Sequence, residues 1–392
     1  MLTNTKPRKA ILLFLIAFLS FLGCNKTENE TSSSLMMPTS PSQKLVNFCV
    51  AVKSGVTTST TGFPMIDLGA LGDPSPSCAY GVNNSGKVVG QVNTQSGQHA
   101  FLWSRQYGVK DLGTLGEPEW SGAYDINERG QVVGSSFAPG TTLQRAFLWS
   151  ANGGMVNLGT AGVYGPENAF SMGFGINNRG EIVGETDSYA FLWTDRRGMV
   201  LLDRTRFNAA WDINDNGLIV GMCMVYCCPP QYHAVLWTDV GKILDLGTLK
   251  LHSQALGINN RGEVVGGSSD KVGWTHERIG SENYNSVFDH SCVPFIWTGQ
   301  YGMSQLPMLG GDAGSAHAIN ERGQVIGWSY TVANEVHAFV WTRKNGIKDL
   351  GTLPGDAVSV AYGINNLGQV VGYSMSKNGT EGTRHAVIWT VK

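Results

Sequence analysis

The chain has 392 residues, 28 of them basic and 30 acidic, with 51 glycines and seven cysteines. This charge balance argues against nucleic acid and against a polybasic membrane surface as partners. After residue 24 there is no helical periodicity of useful length and no long apolar run, which excludes an all-α or membrane-spanning reading.

The N-terminus opens with Lys6, Arg8 and Lys9, an apolar run from Ala10 through Leu22, and then Gly23-Cys24. A basic start and a short apolar core predict an export signal over residues 1–23, too short to span a bilayer as a helix. Its end, FLGC, resembles the lipobox of bacterial lipoproteins. That resemblance implies acylation of Cys24 and, with Asn25 following it, an outer-membrane address; an ordinary cleaved signal with a chance cysteine is the alternative. Removing residues 1–23 takes away three basic residues and no acidic one, leaving a net charge of about −5. Residues 24–62 then form the lipidated cysteine and a Ser/Thr-rich tether, expected to be disordered. Leu45–Val52 within it is apolar enough to pack, but no repeat register includes it.

From residue 63 onward three motifs recur in step. The first begins AYGVNNSGKVVG at Ala79 and returns at Ala123, Gly173, Ala210, Ala255, Ala316 and Ala361. It reads as strand, tight turn, strand, because Asn bonds its own downstream backbone and Gly accepts positive φ. The recurring turn residues, such as Asn177 and Gly180, are therefore assigned to turn chemistry. The second motif is HAFLW, starting at His99, Arg145, Tyr189, His233, Val293, His337 and His385. The third is DLG at Asp67, Asp111, Asp245 and Asp349, with weaker versions at Asn157, Leu201 to Asp203, and Gln305.

Four short strands per unit, with Asn83 and Asn365 six units apart at about 47 residues each, predict an all-β fold: a seven-bladed β-propeller of four-stranded blades. A unit of this size is too small to enclose a core alone and too long for a β-helix coil. The array begins with a lone DLG strand, Met65–Gly69, and stops after the HAFLW-type strand at Trp389. The N-terminal strand is therefore expected to complete the last blade and close the ring, removing exposed sheet edges. The IN-x-x-G-x-V-V-G and H-A-F-x-W units resemble the extracellular HAF-repeat proteins of bacteria over residues 63–392. That family is defined by its repeat and brings no catalytic residues with it.

Links after the first and third strands are short, whereas links after the second and fourth are long and differ between blades. The variable face they form is the expected binding surface. Its longest loop, Gly267–Val293, gathers Trp274, His276, Glu277, Arg278, Tyr284, Phe288, Asp289 and His290. With Trp120, this set offers the ring area and polar groups that a protein or glycan ligand needs; the alternative is a long loop pinned over its neighbour. No metal is expected, because His276, Asp289 and His290 match no ligand spacing, and no cofactor or nucleic-acid motif is present. The HAFLW histidines are expected to bond between strands, and no Ser-His-Asp arrangement is legible. Six cysteines besides Cys24 allow fifteen pairings. The blade register favours Cys292 joined to Cys227 or Cys228, with Cys223 taking the other and Cys49 reaching Cys78.

Two functions stand at this point. One is a monomeric, non-catalytic binding propeller held on the cell envelope by a lipid anchor. The other is a carbohydrate-active hydrolase or lyase on the same ring, using carboxylates such as Glu117, Glu119, Glu277 and Asp289.

Overall fold

The computed structural model describes residues 56–69, 76–163, 165, 168–204, 207–225, 230–271, 290–376 and 384–392. Within them the chain forms seven antiparallel sheets arranged in a ring, a seven-bladed β-propeller. Blade 1 consists of Ser77–Val82, Val88–Asn93, Gln98–Ser104 and Gly108–Asp111, hydrogen-bonded in that order. The first strands of successive blades contact one another around the ring. The AxxIN strands therefore line the centre and the DLG strands form the rim.

The first motif earns its place through one glycine. A Cβ on Gly90 would lie 1.9 Å from the carbonyl oxygen of Cys78 and 2.8 Å from the Phe101 ring. A Cβ on any of its six counterparts would lie 1.9–2.0 Å from the equivalent carbonyl, so only glycine fits against the inner strand. The alternating side chains of the middle strands then fill the seams. Seven apolar clusters, one per blade-to-blade seam, hold the large rings: Phe101, Phe147, Phe191, Phe295 and Phe339 are fully buried or nearly so. An eighth cluster lies at the centre and includes Tyr80, Tyr124, Trp328, Tyr330 and Tyr373.

Ring closure follows the expected register. Met65 pairs with Trp389, Ile66 with Ile388 and Asp67 with Val387. Blade 7 also gains a fifth strand, Val56–Thr58, outside Pro64–Asp67, which no repeat register predicts. The turn between these two strands clasps blade 6: Thr60 N–H donates to Thr352 O at 3.0 Å, and Thr61 Oγ1 donates to Asp349 O at 3.0 Å.

The turn asparagines do more than turn the chain. Asn83 Oδ1 accepts from Lys87 N–H at 3.0 Å, which closes the hairpin. Its Nδ2 meanwhile donates to the carbonyl of Asn127 in blade 2, at 3.1 Å. The same bond runs from Asn127 to Asn177, Asn214, Asn259, Asn320 and Asn365, and Asn365 returns to Asn83 at 2.9 Å. A second ring joins the next residue of each turn, from Asn84 N–H to Glu128 and finally from Asn366 N–H to Asn84 Oδ1.

Two outcomes follow. Asn320→Ala removes the side-chain acceptor of the Arg322 and Gln324 N–H groups and the inter-blade donor to the Asn365 carbonyl, which keeps only the Gly368 N–H, so unfolding free energy should fall by about 1–3 kcal/mol for each group left unsatisfied. Asn345→Ala, at an exposed rim turn, should stay within about 0.5 kcal/mol of the parent. Urea titration of both variants checks this. Deleting residues 63–72 strips the closing strand from blade 7 and should lower the thermal midpoint of the whole ring; an unchanged midpoint would reject closure as a source of stability.

Candidate functional site

The centre of the ring is built by a β-bulge repeated in every blade. Ala79 pairs with Gly90 and Gly81 with Val89, so Tyr80 has no partner in the ladder. The same shift occurs in blades 2 to 7. A bulged residue is turned out of the sheet, and on an inner strand that direction is the propeller axis. The seven residues so placed are Tyr80, Tyr124, Phe174, Trp211, Leu256, His317 and Tyr362. Their rings form a nearly continuous collar. Centroids are 5.2 Å apart for His317 and Tyr362, 5.1 Å for Tyr362 and Tyr80, 5.9 Å for Tyr80 and Tyr124, 5.9 Å for Tyr124 and Phe174, and 4.4 Å for Phe174 and Trp211. Tyr80 and Tyr124 are buried, while the other five keep partial exposure.

The residue after each bulge is Gly or Ala in five blades and Asp in two. Asp125 Oδ1 accepts from Ile126 N–H at 2.7 Å, and its Oδ2 reaches Ile176 N–H of blade 3 at 2.9 Å. Asp212 does the same with Ile213 and with Ile258 of blade 5, at 2.7 and 2.9 Å. Both aspartates are half-buried. Burial, reinforced by the charge of Asp212, pushes Asp125 up to about 7. Burial also pushes Asp212 up to about 6, with Asp215 adding to the effect. His317, whose Nδ1–H donates to Ala361 O at 2.9 Å, is pushed by burial down to about 4 and is neutral at physiological pH.

On the variable side, the HAFLW histidine and the DLG aspartate of one blade form a pair. Nδ1 to Oδ2 distances are 2.8 Å for His99 and Asp111, 2.8 Å for His233 and Asp245, 2.7 Å for His337 and Asp349, and 3.0 Å for His385 and Asp67. The bond to Asp111 raises the pKa of His99, and the bond to Asp67 raises that of His385. Ser96 Oγ lies 3.5 Å from His99 Nε2, so blade 1 does hold a Ser-His-Asp sequence of contacts that the sequence concealed. Glu119 Oε2 sits 3.4 Å from the same Nε2, and a carboxylate there favours imidazolium over a general base. The His233 and His337 pairs recur without a serine, since His233 Nε2 meets Gln231 and His337 Nε2 lies 3.9 Å from Glu335. The pairs are links between the third and fourth strands.

A serine completes each link across the seam. Ala100 N–H donates to Ser121 Oγ of blade 2 at 2.8 Å, and Ser121 Oγ donates to Gly113 O at 2.7 Å. Ser171, Ser253, Ser359 and Ser77 repeat the first bond, and Asn208 substitutes for serine in blade 4. In blade 5 Pro294 has no N–H to give; Gly314 stands in the serine position, and its N–H donates to Cys292 O at 2.9 Å instead.

The sequence-predicted ligand residues are only partly within view. Trp274, His276, Glu277, Arg278 and Tyr284 lie outside the described residues, as do Cys24, Cys227 and Cys228. Trp120 is a pin between blades: its Nε1–H donates to Gln98 Oε1 at 2.8 Å and its ring stacks on Phe137 at 5.0 Å. His290 is exposed, stacks on Tyr330 at 4.4 Å and lies 3.6 Å from Asp312. Cys223 and Cys292 are buried, no disulfide forms among the described residues, and burial pushes the Cys223 thiol up to about 11. Among the described residues no three His, Cys, Asp or Glu side chains converge in a way that could hold a metal ion.

No family model and no curated protein matches the chain. Among solved structures it is similar to puromycin hydrolase, at 14% identity over 79% of this chain and 54% of that one, with a TM-score of 0.47. It is also similar to a gluconolactonase from Xanthomonas campestris, at 10% identity over 86% and 94% of the two chains, and to TolB from Acinetobacter baumannii, at 10% over 78% and 80%. Both have a TM-score of 0.40.

The channel carboxylates set a pH dependence. Their folded pKa values lie above the ordinary carboxylate value, so the folded state keeps protons that the unfolded chain has lost. Their contribution to stability is full below about pH 4 and is lost as pH rises through 6 to 7. In urea titrations, Asp125→Asn with Asp212→Asn should therefore gain stability relative to the parent between pH 5 and pH 8. A constant difference between the two proteins over that range would refute the assignment.

Proposed function

We propose that this chain is an exported, lipid-anchored β-propeller that binds a ligand without transforming it. The collar carries this reading. The groups able to do acid-base chemistry on the variable side recur as strand links in four blades, whereas the bulged residues Tyr80, Tyr124, Phe174, Trp211, Leu256, His317 and Tyr362, six of them rings, differ from blade to blade. Rings on a rigid frame supply binding area at low entropic loss. His290, exposed over Tyr330, adds to the surface on the same side.

The resemblance to extracellular HAF-repeat proteins and the FLGC sequence support export and anchoring through Cys24. The partner is a protein or glycan met at the cell envelope, the membrane is touched through the lipid alone, and the ring acts as a monomer. One observation favours the alternative of a carbohydrate-active hydrolase: Asp125 and Asp212 hold equivalent positions on inner strands, and burial pushes them up to about 7 and about 6. Against it, both oxygens of each already accept backbone N–H groups, which is the work of a strut between blades.

Cys24→Ser should move the protein from the membrane fraction to the soluble one and abolish lipid labelling. On a glycan array the soluble variant is expected to retain a ligand without releasing reducing ends. Cleavage of a retained glycan, lost on Asp212→Asn, would transfer the assignment to the hydrolase.

A further inference from the structure

Closure of the ring leaves a gap in blade 7 that the other blades cannot have. In blades 1 to 6 a turn joins the third strand to the fourth, as residues 342–346 do in blade 6. In blade 7 the fourth strand arrives from the N-terminal end, so no turn links Thr390 to Pro64. These two unlinked strand ends and the blade 6 turn enclose a groove of about 360 Å³ on the turn side of the ring, which is room for a small organic molecule. Its walls are fixed from behind. Val391 N–H donates to Gly368 O at 2.8 Å, Phe63 N–H donates to Ser59 Oγ at 3.0 Å, and Thr61 Oγ1 donates to Asp349 O.

The polar lining of the groove is one-sided. Gln324 lines it and is only 6% exposed. Asn320 Oδ1 accepts the N–H groups of Arg322 and Gln324, which leaves its Nδ2 to donate to Gln324 Oε1 at 2.7 Å. The Gln324 amide is thereby oriented, and its Nε2 donor has no hydrogen-bond partner among the described residues. Lys348 and Lys392 add two exposed ammonium groups that make no ion pair among the described residues, and no Asp or Glu side chain lines the groove. Even with the α-carboxylate of Lys392 counted, the lining is net positive. Phe63, Pro64, Val340 and Val391 make the rest of the wall apolar.

We propose that this groove binds a small organic carboxylate, with the charged group on Gln324 Nε2 and the two lysines and the apolar body along Phe63 and Val391. Two surface lysines alone would be a solvated face; a buried amide whose donor is left open calls for an acceptor. A cation is repelled. A neutral apolar molecule leaves the donors unmet, and inorganic phosphate meets them but leaves the apolar wall in water. The site lies on the turn side, away from the variable loops, and goes beyond the function proposed above. A ligand held there touches blades 6 and 7 together, so binding should stabilise the ring at the seam where its ends meet.

Calorimetry and thermal melts of the full chain with 3-phenylpropionate and octanoate test this, with 3-phenylpropionamide as the neutral isostere and inorganic phosphate as the bare anion. At least one acid should bind and raise the thermal midpoint, while the amide and phosphate should bind about tenfold more weakly or worse. Gln324→Glu keeps the bond to the turn asparagine, as Glu181 and Glu263 do at 2.6 and 2.7 Å in blades 3 and 5, but turns the donor into an acceptor. It should fold and lose the acid. Lys348→Met with Lys392→Met, both at exposed positions, should weaken the acid about tenfold or more. No heat from either acid, equal binding of the amide or of phosphate, or acid binding unaltered in Gln324→Glu or in the double lysine variant would each overturn the carboxylate site.

Discussion

Each blade of a propeller is a sheet too small to enclose a core, so the fold depends on how a blade grips its neighbour. Here that grip is the asparagine side chain at the first turn. It must accept through Oδ1 to close its own hairpin and donate through Nδ2 to the next blade. Aspartate could do the first but has no donor, and serine is too short for the second. The amide does both, and because Asn365 returns to Asn83 the bonds form a closed circuit. All seven asparagines are buried, where a bond is electrostatically stronger, and each accepting carbonyl keeps only the Gly N–H of its own turn once the inter-blade donor is lost. Removing one blade therefore opens two bonds of a ring, which ties local order to the whole.

The same repeat fixes the centre by a different route. Glycine in the second strand lets the inner strand and the HAFLW ring press together, and the bulge beside it throws one residue per blade toward the axis. Seam packing and channel lining are consequently two results of one register shift. The apolar seams can stay alike from blade to blade while the axial residue varies among Tyr, Phe, Trp, Leu and His. A scaffold that separates what must repeat from what may differ is suited to carrying a site.

Much of this was legible in the chain. Seven copies of three motifs gave the blade count, and a lone DLG strand at one end with a missing one at the other gave the closure that Met65 and Trp389 make. The bulge was not legible, because a one-residue register shift leaves no mark in a hydrophobic pattern, and so the collar was missed although six of its seven positions carry a ring. The double duty of asparagine was hidden for a related reason: its turn role alone explains Asn-x-x-Gly. The histidine–aspartate pairs did leave a signal. His99, His233, His337 and His385 occur where a DLG aspartate follows or, for the last, where Asp67 arrives by closure, and both are lost together in the blades of Arg145, Tyr189 and Val293. Val56–Thr58 gave none, since a fifth strand on one blade belongs to no repeat.

The axial aspartates are one such difference. A Cβ on Gly175 would stand 3.0 Å from Trp211 O, and one on Gly257 would stand 2.8 Å from His317 O, so blades approach closely at this level. At this level Asp125 and Asp212 alone carry polar side chains, each reaching across to the next blade, to Ile176 or Ile258, while Gly81, Gly175, Gly257, Ala318 and Gly363 hold the other five seams without one. At these two seams a side chain therefore reinforces the ring of asparagine bonds, adding a second tie from one blade to the backbone of the next.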